Sequence, residues 1–198
     1  MKLFPAGLLV LTLAGAGVGR AQTSGSCAAP FQAVLKPGVL LSIRSRSASI
    51  QIVGTDQRLL KVSCVLDHTE SAKDVLLHVS GDESAASLRV SGGPTNNVQI
   101  RIEVPGKANL RIHVPAGEIK ISQVTGDKVV DLHAGEVSLT GLVASEYRSA
   151  SGSVSIGELH ASAFKVVKDG FFRSFSTENP AGQYRLRVHV DTGTVSLE

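Results

Sequence analysis

The sequence predicts an all-β fold: a single-domain β-solenoid with coils of 17–18 residues, regular in its C-terminal part and less regular before it. Two observations predict it. A ten-residue phrase recurs around successive glycines: IHVPAGEIKI around Gly117, VDLHAGEVSL around Gly135, YRSASGSVSI around Gly152 and VHVDTGTVSL around Gly193. Apolar residues stand mostly five and three before the glycine and always two and four after it, the mark of two strands that bury one face and meet at a turn. The residue before the glycine is small in every copy, and glycine suits a site that needs positive φ. The spacing is the second observation. Successive steps are 135 − 117 = 18, 152 − 135 = 17 and 170 − 152 = 18, with Gly170 in a degraded copy that has Phe164, Val166 and Val167 before it and Phe172 after. The last step, 193 − 170 = 23, leaves room for a loop around residues 178–182. A repeat of this length means stacked units, none of which buries its apolar face alone.

Residues 1–21 stand apart from that pattern. Lys2 precedes an apolar run from Leu3 to Val18, and Gly19 and Ala21 are small, which reads as a secretory signal peptide cut after Ala21. A membrane anchor is the alternative, disfavoured by the short run and by Pro5. A lipoprotein signal ending at Cys27 is another, disfavoured because Ser24-Gly25-Ser26 lacks an aliphatic residue. Without this segment the chain has 198 − 21 = 177 residues and loses Lys2 and Arg20. Lys+Arg then falls from 20 to 18 against 17 acidic residues, and net charge from +3 to +1, so no nucleic-acid partner is expected. No membrane span is expected in the mature chain either. The expected compartment is periplasm, cell surface or extracellular space.

Two cysteines remain, Cys27 and Cys64. In an oxidising compartment a disulfide is the default reading, with a free Cys64 on a strand as the alternative. Residues 22–38 read as an N-terminal tail and 39–198 as one continuous domain. Within it, Ala48 takes the glycine position in IRSRSASIQI, and strands are expected at 59–66, 75–80, 86–91 and 98–104, separated by turn-rich links. A single helical turn is expected at 68–74. The predicted turn positions are therefore Ala48, Gly117, Gly135, Gly152, Gly170 and Gly193.

The order RIEVP at 101–105, LRIHV at 110–114 and the Gly-x-Ile-x-Ile turns resembles the "putative adhesin" domain of exported bacterial proteins, and the related head domain of autotransporter adhesins. The resemblance covers about residues 39–198. It implies a β-solenoid outside the cytoplasm and brings no catalytic residue. Ala48, and Pro115 before Ala116-Gly117, depart from the pattern.

Chemistry is sparse. No nucleophile elbow, phosphate loop, zinc-protease motif or calcium loop is present, so no catalytic, metal or cofactor-binding residue is assigned and no cofactor is expected. His113 and His189 fall at outward strand positions, as do Arg101, Arg111, Arg185 and Arg187, which raises a basic stripe for anionic glycan or lipid headgroups. Glu118 and Glu136 hold equivalent positions, but Ser153 and Thr194 would break a carboxylate ladder there. The reading is a non-catalytic surface or adhesion protein whose partner, a surface glycan or an envelope protein, stays open. A self-assembling structural protein is the alternative, and a polysaccharide-acting enzyme a third class, weakened by the absence of Trp.

Overall fold

The computed structural model describes residues 21–66, 72–93 and 98–198. The expected signal segment, apart from Ala21, and most of the helical turn expected at 68–74 lie outside the described residues. The strands are β1 (Ala21–Ser26), β2 (Phe31–Val34), β3 (Val39–Arg44), β4 (Ala48–Thr55), β5 (Leu59–Leu66), β6 (Val75–Gly81), β7 (Ala85–Gly92), β8 (Val98–Pro105), β9 (Ala108–Ser122), β10 (Lys128–Thr140), β11 (Tyr147–Ala161), β12 (Val166–Glu178) and β13 (Tyr184–Leu197). All of them join one open sheet.

The glycines bend this sheet into two arms. In β9 the buried positions are Ala108, Leu110, Ile112 and Val114 before Gly117, then Ile119 and Ile121 after it. The parity switches from even to odd, as it must when a strand turns a corner and keeps one core on its inner side. The same switch occurs in β10 between Leu132 and Val137, in β13 between Val190 and Val195, and in β11 between Val154 and Leu159. Gly117, Gly135, Gly193 and Gly157 sit at these corners in mutual register, with φ of 137°, 131°, 141° and 135°. A Cβ on Gly135 would collide with the carbonyl oxygen of Gly117, and one on Gly193 with that of Gly135. Backbone conformation and close stacking both demand glycine there.

The first arm runs β1-β6-β7-β3 and then the leading halves of β9, β10, β13 and β11. The second runs β2-β5-β8-β4 and then the trailing halves. A single core cluster fills the space between them. Ala48 pairs with Gly117 as the pattern predicts, but without positive φ, because separate strands β3 and β4 and the link between them make that corner.

Three expectations change. Gly152 is not a corner: it lies in extended backbone opposite Val188 and Phe175, and a Cβ there would strike the Phe175 ring. The turn in β11 falls five residues later, at Gly157, so the regular period ends at Gly135. Gly170 does have positive φ (109°) and pairs with Gly157, but on β12, which runs antiparallel to β11. The stack also departs from chain order. β13 lies between β10 and β11, parallel to both, so the last strand is interior and β12 is the edge.

Residues expected as a tail are also part of the sheet, since β1 pairs with β6 and β2 with β5. Cys27, buried just after β1, is bonded to Cys64 on β5 with 5.3 Å between Cα atoms, and so ties one arm to the other. Titration of the denatured, unreduced protein should find no reactive thiol. The Cys27→Ser/Cys64→Ser pair should lose about 3–4 kcal/mol for a loop of this length. At the far end, β12 carries Lys168 and Arg173 opposite the buried Leu159 and Val154, and charges at such positions discourage further strand addition.

Candidate functional site

The outward side of the first arm carries two polar rows that the strand register aligns across the sheet. In one, Arg89 on β7 pairs with Arg44 on β3, which pairs with His113 on β9. The row continues through Asp131, His189 and Ser153 to Ser174 on β12. In the other, Ser87 and Ser42 lead to Arg111, and after Val129 come Arg187, Ser151 and Ser176. No residue of either row is buried. Beside β12 the surface dips into an open depression of 680 Å³ whose lining includes Ser151, Ser153, Ser174, Ser176, Lys168 and Arg187. Alternation predicts that Arg111, Arg187, His113 and His189 point outward, and they do. It could not show that Arg44 and Arg89 join them, because that pairing links strands far apart in the chain.

Among the described residues the guanidinium groups of Arg44, Arg89, Arg111 and Arg187 have no hydrogen-bond or ion-pair partner. The Arg44–Arg89 neighbours are therefore like charges side by side with nothing between them, an arrangement that disfavours the sheet locally. Arg101, on the second arm, differs: it bonds Glu103 and Gln51 at 3.1 Å each. Arg185 is exposed on the first arm one step further along β13.

A hydrogen-bonded strap crosses β11, β13 and β10 on the same face. Ser153 Oγ lies 2.8 Å from His189 Nδ1, and His189 Nε2 lies 2.9 Å from Asp191 Oδ1. His133 Nδ1 contacts the other Asp191 oxygen. The hydrogen bond from His189, with His133 adding its own, holds the Asp191 carboxyl below its ordinary value. Serine, histidine and aspartate in this order are the residue types of a nucleophile relay. Here β11 is paired on both sides, so its amides serve the ladders rather than an oxyanion. The strap also fastens three strands.

On the second arm the carboxylate row runs further than the sequence suggests. With Gly157 as the corner, Glu158 takes the place expected for Ser153, giving Glu118, Glu136, Thr194, Glu158 and Asp169. Side chains of the same face already engage it. Lys120 and Ser49 bond Glu118, with Lys120 chiefly holding its pKa down, and His160 lies 3.3 Å from Glu158. Among the described residues no group of three or more His, Cys, Asp or Glu is placed to hold a metal ion.

Lys128 is the charged residue that alternation would have flagged and the sequence reading missed. It holds the first inward position of β10, 1% exposed, and its Nζ donates to Tyr147 Oη at 2.7 Å and to the Gly126 carbonyl at 3.1 Å. Burial pushes its pKa down to about 8, against an ordinary 10.5, and pushes the Tyr147 phenol up. The folded state therefore binds fewer protons than the unfolded state between these two values. Stability should rise with pH from 7 to 10, by roughly 2–3 kcal/mol, as the buried ammonium is relieved of its charge, and the raised Tyr147 phenol opposes the rise above pH 10. The Lys128→Met variant should lack that rise and match or exceed the wild type at neutral pH. Urea midpoints at pH 7, 8.5 and 10 check both.

No family model matches the chain, and no curated protein matches it. Among solved structures it is similar to a putative cell adhesion protein from Clostridium sporogenes ATCC 15579. The identity is 11%, over 85% of this chain and 98% of that one, and the TM-score is 0.48. So distant a likeness carries no argument about function. Among the described residues no helix is long and apolar enough to cross a membrane.

Proposed function

We propose that the chain is an exported, non-catalytic binding protein that presents the outward face of its first arm to a partner at the cell envelope, in the manner of an adhesin. The observation that carries this reading is the unpaired arginine set on that face. Arg44, Arg89, Arg111 and Arg187 are fixed by strand register, so a partner meets them without an ordering cost at the backbone. The parallel strands from β3/β4 through β11 act as a solenoid-like stack whose coils are out of chain order, and repetition of this kind suits extended ligands. The Cys27–Cys64 bond supports the exported compartment.

Capture from envelope extracts and a glycan array, both with the disulfide-bonded protein, test the reading. Capture of a defined glycan or envelope component that Arg44→Gln/Arg89→Gln abolishes is expected. Capture unaffected by that variant would remove the face from the proposal. Intact mass of the protein from its native cells should show loss of residues 1–21, and a retained leader would refute export by signal cleavage.

A further inference from the structure

We infer that the occupant of this face is an extended acidic polysaccharide lying across the strands of the first arm, an inference that rests on the binding reading above. The first ground is charge. The two rows hold Arg44, Arg89, Arg111 and Arg187 against Asp131 alone, while the whole chain carries only a net +3. Asp191 stands on the same face but is already engaged by His189 and His133, so the rows keep a cationic excess, and the Arg44–Arg89 pair lacks the carboxylate that a purely structural role would supply. A ligand anion between the two guanidinium groups supplies it, with bidentate hydrogen bonds that lysine would not give.

The second ground is geometry. The rows run perpendicular to the strands, so their side chains repeat at the strand spacing of about 4.8 Å. An extended pyranose chain advances by about one such spacing per sugar. Successive acidic sugars then meet Arg89 and Arg44 on adjacent strands, and Arg111 and Arg187 two strands apart. Ser42, Ser87, Ser151 and Ser176 stand in the same row as the second arginine pair and offer hydroxyls to sugar hydroxyls.

The third ground excludes other polyanions. The two rows carry no Phe, Tyr or Trp on which the bases of a single-stranded nucleic acid could stack, and the His189 ring is tied up between Ser153 and Asp191. Val129 is their one apolar residue, so nothing there inserts into a lipid headgroup layer. The exposed aromatics Phe171 and Phe172 belong to β12 at the corner and not to these rows.

Affinity measurements on the disulfide-bonded protein with polygalacturonate, heparin, neutral dextran and anionic phospholipid vesicles test the inference. Binding to either acidic polysaccharide, weakened at high salt and absent for dextran, is expected. Arg44→Gln/Arg89→Gln and Arg111→Gln/Arg187→Gln should each weaken it at least ten-fold, and Lys120→Gln on the other arm less than two-fold. Equal affinity for dextran, or affinity unchanged in both double variants, overturns the inference. Vesicle binding with the same arginine dependence and no polysaccharide binding overturns it in favour of a lipid surface. Capture of a neutral glycan or envelope protein through this face would sink the acidic-polymer assignment and leave the broader binding reading standing.

Discussion

The Gly135→Val substitution is expected to cost more stability than truncating a buried core residue beside it. Gly135 has φ of 131°, a region closed to a β-branched residue, and it stacks between Gly117 and Gly193. Strain alone amounts to roughly 1–3 kcal/mol. A Cβ would also meet the Gly117 carbonyl, which is ladder backbone and cannot rotate away as a side chain would. The sum should exceed about 4 kcal/mol, much of a domain's margin of 5–15 kcal/mol. Leu139→Ala, at a fully buried site in the same strand, should lose about 2–5 kcal/mol through transfer and cavity terms. Ser138→Val, facing outward between Lys120 and Ser196, should change stability by a few tenths. Gly152→Ala is the sharper control. The nearest groups to its Cβ are the Phe175 ring and the end of Leu159, side chains rather than ladder backbone, so it should fall well below Gly135→Val. Chemical denaturation midpoints rank the four. A Gly152→Ala loss equal to that of Gly135→Val would mean that the corner of β11 is misplaced.

That contrast shows what the sequence could carry. Alternation around Gly117, Gly135 and Gly193 marked strands, faces and corners correctly, because burial on one side of a bent strand writes itself locally into side-chain order. It failed at Gly152, where Ser-Gly-Ser-Val-Ser-Ile imitates the phrase. The better signal was the Gly-Glu pair: Gly117-Glu118, Gly135-Glu136 and Gly157-Glu158 share it, and Leu159 and Ala161 follow Gly157 at the right offsets. Strand order was not legible at all. Nothing local tells Val188 that it will lie between Val130 and Gly152 rather than beyond β12, since each rung offers its neighbours nearly the same apolar rows. The candidate face was half legible for the same reason. Outward positions follow from parity, but the Arg44–Arg89 contact depends on which strands meet.

The position of β13 leads to the largest expected effect. In a solenoid stacked in chain order, removing the last coil shortens the stack and leaves the rest intact. Here the last strand is hydrogen-bonded on both sides, and the Glu198 backbone closes on Leu139 and Leu142 at 2.8 and 2.7 Å. Ending the chain before Tyr184 removes the buried Leu186, Val188, Val190, Val195 and Leu197 together. At about 1.5–3 kcal/mol for each side chain, the loss is on the order of 7–15 kcal/mol, comparable to the stability of a whole domain. It also leaves facing edges on β10 and β11 with no partner between them, and unpaired edges of that length invite aggregation. The truncated chain is therefore expected to lose cooperative unfolding and to aggregate. A full-length Val188→Asp variant, which retains the strand but puts a charge into the core, should be severely destabilised in the same way. Circular dichroism melts and size-exclusion profiles of both decide the matter. A truncated chain that stays monomeric and melts cooperatively near the full-length temperature would show that β13 is a terminal coil after all, and that β10 and β11 pair directly.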